Sequence, residues 1–200
     1  KAPKSRNQET PEGTGRVRRA LASDVRYGPA ITLASFAGSS ACAARFFGGG
    51  VAEILAALAF GAAIGLIIML ASRGRDLARL IDFLCGLLVS FGSIAWAALI
   101  TPVTPEVLVF AGLIVLFPGL TLTMAINELA SRHLSSGTAR LMSALTVLVS
   151  IGFGVALGTR LAEFAFPETL GAIQPITPLP EWTLYLAVAL APVALSVLFK

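Results

Sequence analysis

Apolar residues in this chain come in long blocks, without the three-to-four-residue beat of an amphipathic helix or the two-residue beat of a half-buried strand. Between charged positions lie six uncharged stretches: Tyr27–Ala44, Ile54–Ser72, Phe83–Pro105, Val107–Asn127, Leu141–Thr159 and Trp182–Phe199. Each holds about 18 to 23 residues, and a helix needs roughly 20 to cross about 30 Å of hydrocarbon. The stretches are apolar nearly all round and carry Gly and Pro, which membrane helices accept and soluble helices avoid. The pattern predicts an all-α fold, a polytopic transmembrane helical bundle of five spans plus the start of a sixth. It divides the chain into a cytoplasmic basic tail (1–26), a five-span membrane domain (27–163), an external connection (164–181) and the start of a second membrane half (182–200).

Composition supports the bilayer as solvent. Hydrophobic residues make up 56% of the chain and charged residues 13%, with a mean hydropathy of +0.84, whereas soluble domains are roughly a quarter charged. An oily soluble bundle would leave its outside uncovered. Charge then orients the spans. With alternating crossings, 13 of the 15 Lys and Arg residues fall on the side of the amino terminus, and only Arg45 and Arg160 fall on the other. The positive-inside rule predicts a multi-pass protein of the inner (cytoplasmic) membrane with its amino terminus in the cytoplasm. Most of the net charge of +4 sits in the tail, where anionic lipid headgroups are a nearer partner than nucleic acid. Val17–Tyr27 reads as a short amphipathic surface helix. No cleavable signal peptide is evident, and both ends read as truncations. Cys42 and Cys85 lie within spans and are expected as free, buried thiols.

The fourth stretch carries the most chemistry: Phe117-Pro118-Gly119-Leu120-Thr121-Leu122-Thr123, then Asn127-Glu128. Measured from Glu106, Pro118 falls about 18 Å along the axis, near the bilayer midplane. Proline removes a donor and clashes with the preceding turn, and Gly119 frees the backbone, so the helix is expected to break or kink there. Such a break either shapes the bundle or exposes backbone groups to a solute, with the Thr121 and Thr123 hydroxyls beside it. Glu128 and Asn127 fall at the cytoplasmic border, as a hydrated helix end or a gating and proton-coupling pair. Asp82 follows Arg79 by one turn and reads as a border ion pair or a coupling carboxylate. No ionisable residue sits at the centre of a span. Gly61 with Gly65, and Gly154 with Gly158, have the spacing of close helix contacts.

An enzyme is not expected, and neither is a cofactor or metal. His133 is the only histidine and the cysteines are far apart, so zinc chemistry lacks ligands. Ser39 and Ser40 lack a base at matching depth. Gly48-Gly49-Gly50 lacks the Lys and Ser/Thr of a phosphate loop and reads as a turn.

Phe46-Phe47-Gly48-Gly49, Phe117-Pro118-Gly119-Leu120-Thr121, Ala125-Ile126-Asn127-Glu128-Leu129 and Ser135-Ser136-Gly137-Thr138-Ala139-Arg140, followed by a Gly-rich fifth span, together resemble the amino-terminal membrane domain of the threonine/serine exporter family. The likeness runs from about Val25 to Glu163. It implies a ten-span secondary transporter of two five-span halves that uses the proton gradient to expel threonine, serine or similar solutes. An odd number of spans inverts the next half, giving an inverted repeat, with that half in the same chain or in a separate subunit. The solute is then expected at Pro118 and Gly119, its carboxylate facing the N–H groups of Gly119 to Thr121 and its polar side chain facing Thr121 or Thr123. Asp82, Asn127 or Glu128 would sense protons. Two rivals are a dicarboxylate exporter working with a separate small membrane subunit and a non-transporting membrane scaffold. Arg160–Pro180, with Phe164, Phe166 and four prolines, reads as an outer rim or lid, or a plain linker.

Overall fold

A computed structural model describes residues 28–71, 80–167 and 179–198. The basic tail, the surface helix expected at Val17–Tyr27, Arg79 and most of the external connection lie outside the described residues. Every described element is helical: α1 (Pro29–Phe46), α2 (Val51–Ala71), α3 (Ile81–Leu99), α4 (Pro105–Leu113) with a 3-10 turn at Ile114–Leu116, α5 (Gly119–Ala130), α6 (Leu134–Ala165) and α7 (Trp182–Leu198). Among them α2, α3 and α6 are long and apolar enough to cross a bilayer, and α4 with α5 makes a fourth candidate as one span bent by 59°.

α1 and α7 fall outside that group for different reasons. α7 is apolar but only 17 residues long. α1 has 18 residues but carries Ser35, Ser39 and Ser40 and ends near Arg45. Its serines turn inward on their own helix: Ser35 Oγ donates to the Ile31 carbonyl at 2.9 Å and Ser39 Oγ to the Ser35 carbonyl at 2.8 Å. Such back-bonds satisfy hydroxyls without water. α1 packs against α2, α4 and α7 and buries eight of its residues, so the most polar helix is shielded by its neighbours. The core around it is built from Phe36, Ala57, Phe60, Ile64, Val89 and Leu108.

Small residues set how closely the helices approach. On α2, a Cβ at Gly61 would lie 2.7 Å from the Phe36 carbonyl oxygen, and one at Gly65 would lie 3.0 Å from the Phe36 ring. On α6, Gly154 and Gly158 take the backbone of α3 at Phe83 and Leu87, and Gly86 of α3 answers against Ile151. Ser90 Oγ ties the same pair through Thr159 Oγ1 at 2.7 Å and the Val155 carbonyl at 3.0 Å. Lipid gives helices no hydrophobic reason to meet, so close fit and interhelical hydrogen bonds carry the association.

The helices run up and down. At one end, Arg45 at the close of α1 donates to Thr183 Oγ1 of α7 at 2.7 Å, and Glu53 at the head of α2 reaches the head of α4. Phe47 meets Phe110 there, with ring centroids 5.7 Å apart. At the other end α5 turns into α6 through Ser131, Arg132 and His133. His133 N–H bonds the Glu128 carbonyl at 2.9 Å and Arg132 N–H the Leu129 carbonyl at 3.0 Å, with Arg132 left-handed at φ 62°. This is the pairing of a Schellman turn, with arginine where glycine is usual. α6 is longer than its apolar run: 32 residues make a helix about 48 Å long, which overreaches a hydrocarbon core of about 30 Å. Cys42 and Cys85 are free and buried.

Candidate functional site

The fourth span breaks where proline and glycine stand together. α4 tightens into a 3-10 turn, Phe117 becomes extended (φ −66°, ψ 121°), and α5 starts again at Gly119. Proline explains the position, since it lacks the N–H that would continue the ladder and it disfavours a helical residue before it.

The break leaves two donors unused. Gly119 N–H closes back on the Phe117 carbonyl at 2.8 Å, and the first regular bond of α5 runs from Leu122 N–H to the Pro118 carbonyl at 2.9 Å. The N–H groups of Leu120 and Thr121 fall between and have no backbone acceptor among the described residues. The donor set expected from the sequence therefore narrows: Gly119 is engaged by its own turn, and Leu120 and Thr121 remain. Thr123 Oγ1 donates to the Gly119 carbonyl at 2.9 Å, so its hydroxyl is free only to accept. Gly119 is exposed, and a Cβ there would meet nothing within 4 Å.

Beside the break, Phe110, Leu113 and Phe117 face Ile151, Gly152 and Val155 of α6 across a cleft of about 450 Å³. Its walls are almost wholly apolar, so it offers shape and no polar recognition. The unused N–H groups belong to the head of α5, which follows Phe117 in the chain and does not line the cleft.

The remaining expected residues lie apart from this point. Asn127 is exposed, about 12 Å further along α5. Glu128 pairs with Arg140 of α6, Oε1 to Nε at 2.8 Å, while its Oε2 is buried without a hydrogen-bond partner among the described residues. Arg140 was not singled out by sequence, although it stands one turn-and-a-half into α6 after a tight turn, where a hairpin partner is expected. Asp82 sits in the first turn of α3, half-buried between Leu80 and Phe83, which line a second cleft with Met142 and Phe153 of α6. α6 is the common neighbour of α3 and α5. Pro118, Gly119, Thr121 and Thr123 thus form one group, Asn127 and Glu128 a second, and Asp82 a third. Among the described residues no cluster of His, Cys, Asp and Glu has the make-up of a metal site.

Sequence reasoning also passed over Glu53. It stands three residues after Gly50, the position from which a carboxylate reaches back to cap a helix start, and it does so, Gly50 N–H to Oε2 at 2.9 Å. The spacing was legible, and its burial was not.

Neither a curated protein nor a solved structure matches the chain. The sequence profile of threonine/serine exporters (ThrE) matches residues 6–162, more than three quarters of the chain and all of α1 to α5. A bundle of apolar helices with a broken span, matched over that length, is a membrane transporter, and the chain belongs to the threonine/serine exporter family.

Proposed function

We propose that the protein exports threonine, serine or similarly small polar amino acids from the cytoplasm, driven by protons that enter as the solute leaves. In this reading residues 27–163 form one five-span half with a cytoplasmic amino terminus, 164–181 connect on the outside, and α7 opens an inverted second half. The observation that carries the reading is the break in the fourth span, with the N–H groups of Leu120 and Thr121 unused at the head of α5. A helix start carries about half a positive charge and is a ready site for a carboxylate. Pro118 fixes the break, Gly119 lets a solute approach the backbone, and the hydroxyls of Thr121 and Thr123 face its polar side chain. Asp82, Asn127 and Glu128 govern protonation and gating at the cytoplasmic end, Glu128 through its pair with Arg140.

The test is efflux of labelled threonine and serine from preloaded vesicles, with and without a proton gradient, for the natural protein and Gly119→Trp. Because nothing occupies the space beside Gly119, the variant is expected to insert and fold normally while losing at least about ten-fold in efflux, the factor given by 1.4 kcal/mol of lost binding. Undiminished efflux in Gly119→Trp sinks this placement. Gradient-driven efflux of a dicarboxylate in place of threonine and serine would transfer the same site to an acid cargo.

A further inference from the structure

Among the described residues Glu53 is the only charged side chain that is buried, 3% exposed, and the transport site above makes no use of it. Its two oxygens serve two different helices. Oε2 accepts from Gly50 N–H at 2.9 Å, three residues away at the start of α2, and Oε1 accepts from Thr104 N–H at 3.3 Å, at the start of α4 and 51 residues away. The glycine run expected only to be a turn lets the two heads meet. Gly48 turns with φ 82°, and a Cβ on Gly49 would lie 2.8 Å from the Ala44 carbonyl oxygen, 2.9 Å from Glu53 Cβ and 3.3 Å from Val107 Cγ1. Glu53 forms no ion pair among the described residues. The compensation for its carboxylate is backbone: two N–H groups and the positive ends of two helices. A backbone donor has no charge to lose, so the tie is a standing one.

The head of α4 has little else to hold it. α4 is 9 residues long, and a helix shorter than about 12 residues is marginal by itself. Thr104, its N-cap residue, makes no side-chain cap, and its Oγ1 is buried without a partner among the described residues. Pro105 follows with no N–H to offer. Val103, Leu108 and Ala111 are wholly buried, which fixes α4 sideways, but apolar contact in lipid gives little to stop one helix sliding along another. Among the described residues the bond from Thr104 N–H to Glu53 is the only side-chain hydrogen bond that joins this head to another helix.

We infer that Glu53 is a positioning residue for the solute site: a fixed bracket that holds α4 on α2, so that the broken span bends at Pro118 by movement of α5 alone. The inference rests on the export reading above and adds to it which half of the span stays still. α4 runs through the 3-10 turn into Phe117, and the place where it ends sets where the head of α5 begins. α5 is the looser half. It buries Ala125 alone, Gly119 and Leu120 at its head are exposed, and the contacts that tie it to α6, Glu128 with Arg140 and Leu129 against Gly137, lie near its far end. A span gripped at its first head and again only at its far end has its freedom in between, at the break. Glu53 thus acts on the free N–H groups of Leu120 and Thr121 through α4, without touching the solute.

The test uses the full-length protein in lipid nanodiscs, open to reagent on both faces, with Cys42 and Cys85 replaced by alanine. Val103→Cys places a thiol at the buried position beside Thr104, and its labelling by a soluble maleimide is timed. Glu53→Gln is expected to speed labelling at least about ten-fold, the factor for losing a hydrogen bond to a charged group. Thr104→Pro removes the N–H and leaves the carboxylate, at a φ of −87° that is close to proline's own. It should give the same increase, and the two substitutions together should label no faster than either alone. Unchanged labelling, or effects that multiply, overturns the bracket, and Thr104→Pro decides the matter where Glu53→Gln fails to insert. Spin-label pairs at exposed positions then read movement: Leu66 with Glu106 sets α4 against α2, and Glu106 with Met124 spans the break. Saturating threonine is expected to shift the second distance and leave the first in place; a first distance that shifts overturns the bracket. In efflux, Glu53→Gln should raise the half-saturating threonine concentration several-fold, because the donors are misplaced. A lower maximal rate at unchanged half-saturation would make Glu53 a stability residue and end its positioning role. If Val103→Cys labelling ignores both substitutions while efflux stays gradient-driven, the bracket fails and the export reading stands. If labelling rises as expected but neither threonine nor serine is exported, the export reading fails and the hold on α4 stands.

Discussion

The two halves of the broken span are both apolar and have opposite surroundings. α4 buries Val107, Leu108, Ala111, Gly112 and Leu113. α5 buries Ala125 alone and leaves Leu120, Met124 and Ile126 exposed. Hydrophobicity does not separate them, because lipid tails are as apolar as leucine and give neither half a reason to turn inward. Attachment does. α4 is tied at its head by Glu53 and flanked by α1, α2 and α3, whereas α5 leaves the line of the span at 59° and packs on α6. α5 has its ties near its far end, Glu128 with Arg140 and Leu129 against Gly137, and its head at the break, Gly119 and Leu120, is left exposed.

Paired substitutions can break or sharpen that contrast. The largest effect is expected from Gly112→Leu on α4, where the new Cβ alone would lie 2.9 Å from Cγ1 of the fully buried Val89. Overpacking of this kind costs about 3 kcal/mol, read as a lowered thermal midpoint in detergent, while Gly119→Leu on α5 should leave the midpoint where it is. Next comes cavity formation. Leu108→Ala on α4 should cost about 2 kcal/mol, at the low end for cores because lipid removes most of the transfer term. Leu120→Ala on α5 should stay within about 0.5 kcal/mol in the same assay; equal losses at the two sites would mean that α5 is packed as tightly as α4. The smallest effect is a gain. Arg132 is left-handed at the end of α5, a conformation that costs a residue with a side chain about 1 kcal/mol, so Arg132→Gly should raise the midpoint slightly without changing efflux.

Local rules made much of the fold legible. The apolar blocks marked the helices, Pro118-Gly119 marked the break to the residue, and the Gly61/Gly65 and Gly154/Gly158 pairs fall on real helix contacts. Features that depend on a distant partner were not legible. Glu53 was passed over, since its second acceptor role depends on Thr104, 51 residues on. Glu128 read as a hydrated helix end or a gating and proton-coupling residue, and its pair with Arg140 was hidden because Arg140 becomes a neighbour only once the turn at Arg132 folds α6 back on α5. At the candidate site the break was legible and the free donors were not: the Gly119 N–H was expected to face the solute, and the tight turn after Pro118 consumes it.

The serines of α1 bear on how the protein is made. Among the described helices α1 is the most polar, and its back-bonded hydroxyls and closing arginine leave it below the apolarity of a self-sufficient span. α2, which follows after a four-residue turn, is uninterrupted oil from Ile54 to Ala71 and seats its glycines on Phe36 and Ser40 of α1. α1 on its own is a poor candidate for lipid, and the apolar α2 directly behind it supplies the partner with which it can enter as a hairpin.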